Sequence, residues 1–134
     1  MTPFLDEYGA QHVIDLFKRC NDKVKKNLIV RFLDETEGKK PYQRGFHDFR
    51  DSFKELSVHV FDFSLAKESN WKRETFHAKV ISCDNKLAYV GSSNMNRHSI
   101  SGSMELGVFL KKKDAETIKQ LLYSIMEISR KYNL

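Results

Sequence analysis

The sequence contains no apolar run approaching the roughly eighteen residues that a membrane-spanning helix needs. Its first residues also lack the basic-then-apolar pattern of a secretion signal. The expected compartment is therefore the cytoplasm, with no membrane partner. Cysteine is scarce: Cys20 and Cys83 are the only two, and neither belongs to a C-x-x-C or other metal-ligand spacing. Two buried free thiols are expected, and no metal site. Low-complexity tracts, internal repeats and interdomain linkers are missing as well, which excludes a disordered chain and a solenoid. A length of 134 residues suits one domain spanning 1–134, able to bury roughly two-thirds of its unfolded surface.

What is present is ordinary for a globular protein, with 40% apolar and 31% charged residues, but the charge is unbalanced. A formal net charge of +5 favours an anionic partner such as nucleic acid or a phospholipid head group. The basic residues are dispersed in small groups, Lys23 with Lys25 and Lys26, Lys39 with Lys40, Lys72 with Arg73, and Lys111 to Lys113. Each group alone reads as a solvated turn.

Ala10, Val13, Ile14 and Phe17 fall at i, i+3, i+4 and i+7, one apolar helix face, and predict a helix over 6–19. Leu28 to Leu33, interrupted only by Arg31, has the length of a buried strand. After a turn-rich stretch from Glu35 to Gly45, the residues Phe46, Phe49, Phe53 and Leu56 repeat the helical stripe, and Val58 to Phe63 reads as a second strand. Ser64 to Arg73 reads as a polar loop. Thr75 to Cys83 and Lys86 to Gly91 are β-rich runs joined by Asp84-Asn85, residue types that tolerate the left-handed geometry of a tight hairpin. Glu105 to Leu110 predicts a further strand. Ala115, Ile118, Leu121, Leu122, Ile125 and Ile128 stripe a C-terminal helix that Asp114 can cap. Strands alternating with helices and then a hairpin predict an α/β fold, a mixed β-sheet flanked by helices.

The chemistry concentrates in the hairpin. His77 and Lys79 are two residues apart, so on a strand both side chains project from one face, and Ser92 and Asn94 share that spacing. A paired strand that brings Asn94 beside His77 gathers four polar groups into a patch suited to a phosphate. Lys79 supplies a point charge and Asn94 an amide donor for the non-bridging oxygens, where transition-state charge must be stabilised. His77 is then free to attack phosphorus. Imidazole does this near neutral pH when an acceptor holds one ring nitrogen protonated, which calls for a carboxylate, and Glu105 is the candidate.

The stretch from His77 through Lys79 to Asp84 matches H-x-K-x4-D, Gly91-Ser92-Ser93-Asn94 matches G-S-x-N, and Glu105 follows as a late carboxylate. In these elements the chain resembles the phospholipase D superfamily, and in particular its small bacterial nucleases. The resemblance implies one phospholipase D-like half-domain. It makes His77 the nucleophile or the general acid, Lys79 and Asn94 phosphate ligands, Ser92 a further polar contact and Glu105 the orienter of the histidine. It makes Asp84 structural, in keeping with a hairpin turn, as is Gly91. The family opposes two such motifs, one histidine attacking while the other protonates the leaving oxygen, and requires no metal or other cofactor. With one motif here, the resemblance implies either a homodimer or a second half-domain from a longer parent chain. The early Thr2-Pro3-Phe4, where family half-domains begin with a strand, suits an excised fragment, and Ser103 stands where relatives often carry asparagine.

The implied activity is a metal-independent phosphodiesterase, a nuclease acting on DNA or RNA through a phosphohistidine intermediate. Small size, basic balance and the lack of an amphipathic insertion or an exposed apolar rim favour it over the alternative, a phospholipase D or transphosphatidylase acting on lipid. A third reading is a nucleic-acid-binding lobe that is inactive alone. Trp71 beside Lys72 and Arg73 is able to stack on a base while neutralising phosphates, so the three are candidate substrate contacts. His12, His47 and His59 lack such company and read as ordinary helix or strand residues, and His98 beside Arg97 reads as solvent-exposed.

Overall fold

The computed structural model describes residues 1–37, 39–64 and 75–134. The first helix, α1 (Glu7–Lys18), starts at Asp6, whose side chain accepts the Gly9 N–H at 2.8 Å. That bond satisfies one of the helix's orphan donors. Ala10, Val13 and Ile14 are buried as their spacing predicts, and Phe17 packs against the same core. Strand β1 (Asn27–Val30) is shorter than the predicted run, because Phe32 turns the chain with φ at 58° and its N–H bonds the Ser64 hydroxyl instead of continuing a ladder.

The turn-rich stretch contains a small antiparallel ladder of β2 (Thr36–Glu37) and β3 (Lys40–Pro41). The phenylalanine stripe lies on two short helices rather than one, α2 (Arg44–Asp48) and α3 (Arg50–Glu55), separated at Phe49, whose φ and ψ of −112° and 19° leave the helical region. Phe46 and Phe53 nevertheless stack, ring centroids 5.8 Å apart, both fully buried. Strand β4 (His59–Asp62) then pairs in parallel with β1.

The hairpin consists of β5 (Lys79–Cys83) and β6 (Leu87–Gly91). Its turn takes in Asp84, Asn85 and Lys86, one residue more than predicted, and Asp84 adopts φ 52°, the left-handed conformation its residue type tolerates. After a short helix α4 (Arg97–Ser101), strand β7 (Gly107–Lys111) pairs antiparallel with β6. Helix α5 (Lys113–Ile128) follows, and β8 (Arg130–Tyr132) returns antiparallel to β4. Asp114 does not cap α5. Lys112 holds the N-cap position, and Asp114 lies in the first turn, where its charge still complements the helix dipole.

The fold is the predicted mixed α/β architecture, but its main strands divide between two three-stranded sheets, β1-β4-β8 and β5-β6-β7. The amino-terminal residues join them. The Thr2 N–H donates to the Ile29 carbonyl at 3.0 Å, and the Val80 N–H donates to the Met1 carbonyl at 3.0 Å. The apolar core, including Ile14, Val30, Phe46, Phe53 and Val60, lies with the first sheet. Helix α5 packs against β5, β6 and β7, and a cleft of about 680 Å³ lies between it, α1 and β1. Of its predicted stripe only Ala115 is fully buried, while Leu121 and Ile128 are exposed, because the stripe spans a wider arc than the sheet can cover. Both cysteines are free but neither is buried: Cys20 is half-buried and Cys83 is exposed next to the turn. Among the described residues no helix is long and apolar enough to cross a membrane.

Gly9 permits the closest approach of α1 to the chain that follows β6, since a Cβ there would collide with the Met95 backbone carbonyl. Alanine favours a helix over glycine by about 1 kcal/mol. Gly9→Ala is nonetheless expected to lower stability by about 1–3 kcal/mol, because a backbone contact has little room to yield. A denaturant titration of the two proteins measures the difference, and an unchanged midpoint would show that the loop moves freely.

Candidate active site

His77 lies two residues ahead of β5, and Lys79 is the strand's first residue. Their side chains meet as the i, i+2 spacing requires: the Lys79 Nζ is 2.9 Å from His77 Nδ1 and 3.3 Å from Nε2. An ammonium can only donate, so the ring nitrogen facing it must present a lone pair, and the imidazole is neutral in this arrangement. His77 is exposed at the surface, whereas Lys79 is buried along its stem. The Phe4 ring meets the His77 ring edge-on, centroids 5.9 Å apart.

Partial desolvation, then the Lys79 and Arg31 cations, hold the His77 pKa below its ordinary value. Burial likewise lowers that of Lys79, opposed by the Glu105 carboxylate and reinforced by Arg31. Glu105 is held below the usual carboxylate range by hydrogen bonds from Ser92 and Ser99, with further help from Lys79 and His98. These shifts favour a neutral imidazole and an ionised carboxylate near neutral pH.

Ser92 is tied to the chain entering β7 on both sides. Its N–H donates to the Leu106 carbonyl at 2.9 Å, its oxygen accepts the Leu106 N–H at 3.0 Å, and its hydroxyl donates to the Glu105 carboxylate. Glu105 thus precedes β7 instead of opening it, and its carboxylate engages Ser92 and Ser99. The expected bond from Glu105 to His77 is not formed among the described residues. The histidine's ring nitrogens face Lys79, and Lys79 stands between the two groups electrostatically.

Asn94 is half-buried, and its side-chain oxygen is enclosed without a hydrogen-bond partner among the described residues. The backbone beyond it is anchored to the amino-terminal segment: the Asp6 N–H donates to the Met95 carbonyl at 3.3 Å, and the Arg97 N–H donates to the Asp6 carboxylate at 2.9 Å. One carboxylate, Asp6, therefore holds the starts of both α1 and α4. Gly91 pairs with Lys79 and with Gly107, and side chains at either glycine would collide with the Tyr89 ring lying across them.

Trp71, Lys72 and Arg73 lie outside the described residues. His98 is exposed on α4, as its neighbours suggested, and the His12 and His47 rings bond backbone carbonyls at 2.8 Å. His59 is an exposed strand residue. Sequence reasoning missed Arg31, which is buried directly behind His77. The available signal was a charge set within an otherwise apolar strand, a position where a cation needs a specific reason to be. It also missed an apolar rim: Met104 is fully exposed and Leu106 is 79% exposed, one on each side of Glu105.

Residues 11–127 match the family model described as "Cardiolipin synthase, PLD-like domain". Two solved structures share the fold. NucT from Helicobacter pylori superposes with a TM-score of 0.69 at 17% identity, over 98% of this chain and 79% of that one. A phospholipase D family member, Nuc from Salmonella typhimurium, gives a TM-score of 0.68 at 17% identity with the same coverage. No curated protein shows significant sequence similarity to the chain. With the family model spanning most of its length and taking in the H-x-K-x4-D and G-S-x-N residues, the chain belongs to the phospholipase D-like domain family.

Proposed function

We propose that this chain is one motif-bearing lobe, a single domain over 1–134, of a metal-independent phosphodiesterase that cleaves nucleic acid through a phosphohistidine intermediate. The observation that carries the reading is the contact of a neutral, exposed imidazole at position 77 with the buried ammonium of Lys79. A nucleophile and a phosphate-binding charge share one patch. An imidazole nitrogen of His77 attacks phosphorus, a P–N bond forms, and the bond to the leaving oxygen breaks as an opposing histidine gives that oxygen a proton. Water then attacks phosphorus, the opposing histidine takes its proton, and the P–N bond breaks to free His77. Lys79 and Asn94 steady the charge on the non-bridging oxygens in both steps. Glu105 acts through Ser92 and Lys79, keeping the ammonium charged beside the ring. Asp84 and Gly91 serve the hairpin's shape.

The opposing histidine belongs to a second copy of the lobe or to a second half-domain. The exposed Met104 and Leu106 flank Glu105, and Val108, also exposed, follows two residues along β7, giving apolar side chains adjoining the site that such a lobe would cover. The net charge of +5 favours a polyanionic substrate, with the basic and aromatic Trp71, Lys72 and Arg73 as further contacts. The same rim supports a second reading, a lipid phosphodiesterase or transphosphatidylase, because an apolar margin beside a phosphate site suits acyl chains.

Single- and double-stranded DNA, RNA and phosphatidylcholine vesicles, each offered in excess EDTA, separate these readings. The expected outcome is EDTA-resistant cutting of nucleic acid, reduced by about a thousandfold or more in His77→Ala. Cutting that requires magnesium and survives the substitution would overturn the mechanism, and turnover of lipid alone would select the second reading. The pH profile carries a further expectation. Protonated His77 cannot attack, so activity is lost as pH falls through its folded pKa, and the acid limb should lie below about 6.5 because that pKa is depressed. A limb above that value would contradict the electrostatics described above. Met104→Asp combined with Leu106→Asp should leave the thermal unfolding of the lobe unchanged while weakening self-association in sedimentation, with turnover falling in parallel. Full turnover from a strict monomer would rule out a site shared between lobes.

A further inference from the structure

We propose that Arg31 is the positioning residue of this site, its guanidinium setting the His77 imidazole from behind by gripping the carbonyl of the residue before it. Arg31 follows β1 and is buried, yet its hydrogen bonds reach three separate segments of the chain. Nη1 donates to the Phe76 carbonyl at 2.8 Å, Nε donates to the Pro3 carbonyl at 3.3 Å, and Nη2 donates to the Tyr42 hydroxyl at 3.1 Å. Residue 76 precedes the histidine, and residue 3 precedes the Phe4 ring that meets the histidine edge-on. The backbone behind His77 and the wall beside it are therefore held by one rigid planar group.

Structure alone gives little reason for a cation here. All three of these acceptors are neutral oxygens, and burying a charge on such partners is costly. The rings of Phe4, Phe32 and Tyr42 lie 4.7, 5.3 and 5.8 Å from the guanidinium carbon and offset part of that cost. What the charge accomplishes is electrostatic. Together with Lys79 it disfavours a protonated His77, so the ring keeps the lone pair that attack on phosphorus requires. Among the described residues, the charged groups facing His77 are Lys79, at the start of β5, and Arg31 from the chain leaving β1. The Phe4 ring is neutral, the Tyr42 hydroxyl meets Arg31 and not the histidine, and Glu105 acts on Lys79. Lysine at position 31 would keep the charge but not the fork, since one ammonium cannot reach Phe76, Pro3 and Tyr42 in the same plane.

This inference rests on the reading of His77 as the attacking group, and the test separates the two. His77 is titrated by NMR of imidazole-labelled protein in the parent, Arg31→Met and Arg31→Lys, and kcat and KM are measured against pH. Arg31→Met should raise the His77 pKa, move the acid limb of the kcat profile upward with it, and lower kcat about ten- to a hundredfold with little change in KM. Arg31→Lys should keep the titration near that of the parent while still lowering kcat, because the charge stays and the grip is lost. If Arg31→Met fails to fold, the Arg31→Lys comparison stands with Tyr42→Phe, which removes one acceptor and should lower kcat without moving the titration. An unchanged titration and kcat, with only a lower melting temperature, would reduce Arg31 to a structural tie and overturn the proposal. A shifted titration in a protein whose His77→Ala variant keeps full activity would uphold the electrostatic effect of Arg31 while removing His77 as nucleophile.

Discussion

The amino-terminal segment Met1 to Asp6 is the constraint on which the arrangement depends. It hydrogen-bonds the first sheet through Thr2 and Ile29, the second through Met1 and Val80, and the chain beyond Asn94 through Asp6, Met95 and Arg97. Neither three-stranded sheet shares a ladder with the other, so these bonds fix the hairpin carrying His77 relative to the core. Because backbone groups removed from water must find partners, the segment satisfies both sheets where an open edge would otherwise be exposed. The site is consequently assembled from residues far apart in sequence yet held by short, local bonds.

Two cations and one carboxylate set the character of that site. Desolvation, with Lys79 and Arg31 adding to it, lowers the pKa of the imidazole, while Glu105, itself tied to Ser92 and Ser99, opposes the lowering that burial imposes on Lys79. The division of labour follows from burial: Lys79 and Arg31 are enclosed and their charges weakly screened, whereas Glu105 is half-buried, held by hydrogen bonds from Ser92 and Ser99, and acts on Lys79 through its charge.

Much of this was legible in advance where the governing geometry is local. Helix α1 follows from the i, i+3, i+4 spacing of Ala10, Val13 and Ile14, and Asp84 in the turn follows from a residue type that tolerates positive φ. The patterns that misled were those whose outcome depends on distant partners. The phenylalanine stripe reads as one helix, but the chain breaks at Phe49 so that Phe46 and Phe53 can stack. Strand β8 carries Arg130 and Lys131, an unpromising strand sequence, and pairs because β4 offers an edge and Asp62 receives the Arg130 guanidinium at 2.7 Å.

By itself the sequence marked the motif residues His77, Lys79, Asp84, Gly91, Ser92 and Asn94, which lie within the stretch that matches the family. His77 meets Lys79 at the entry to β5, as their two-residue spacing suggests, whereas Ser92 and Asn94 lie beyond the end of β6, where that repeat no longer governs them. Tertiary structure alone decided what surrounds that set: Arg31 behind the histidine, Glu105 turned to Ser92, Asn94 enclosed, and the rim of Met104 and Leu106 left open to solvent. The reason is one of range. Local stereochemistry relates residues two apart on a strand, but which groups meet at a separation of 45 positions, as Arg31 and Phe76 do, is settled only when the whole chain closes on its core.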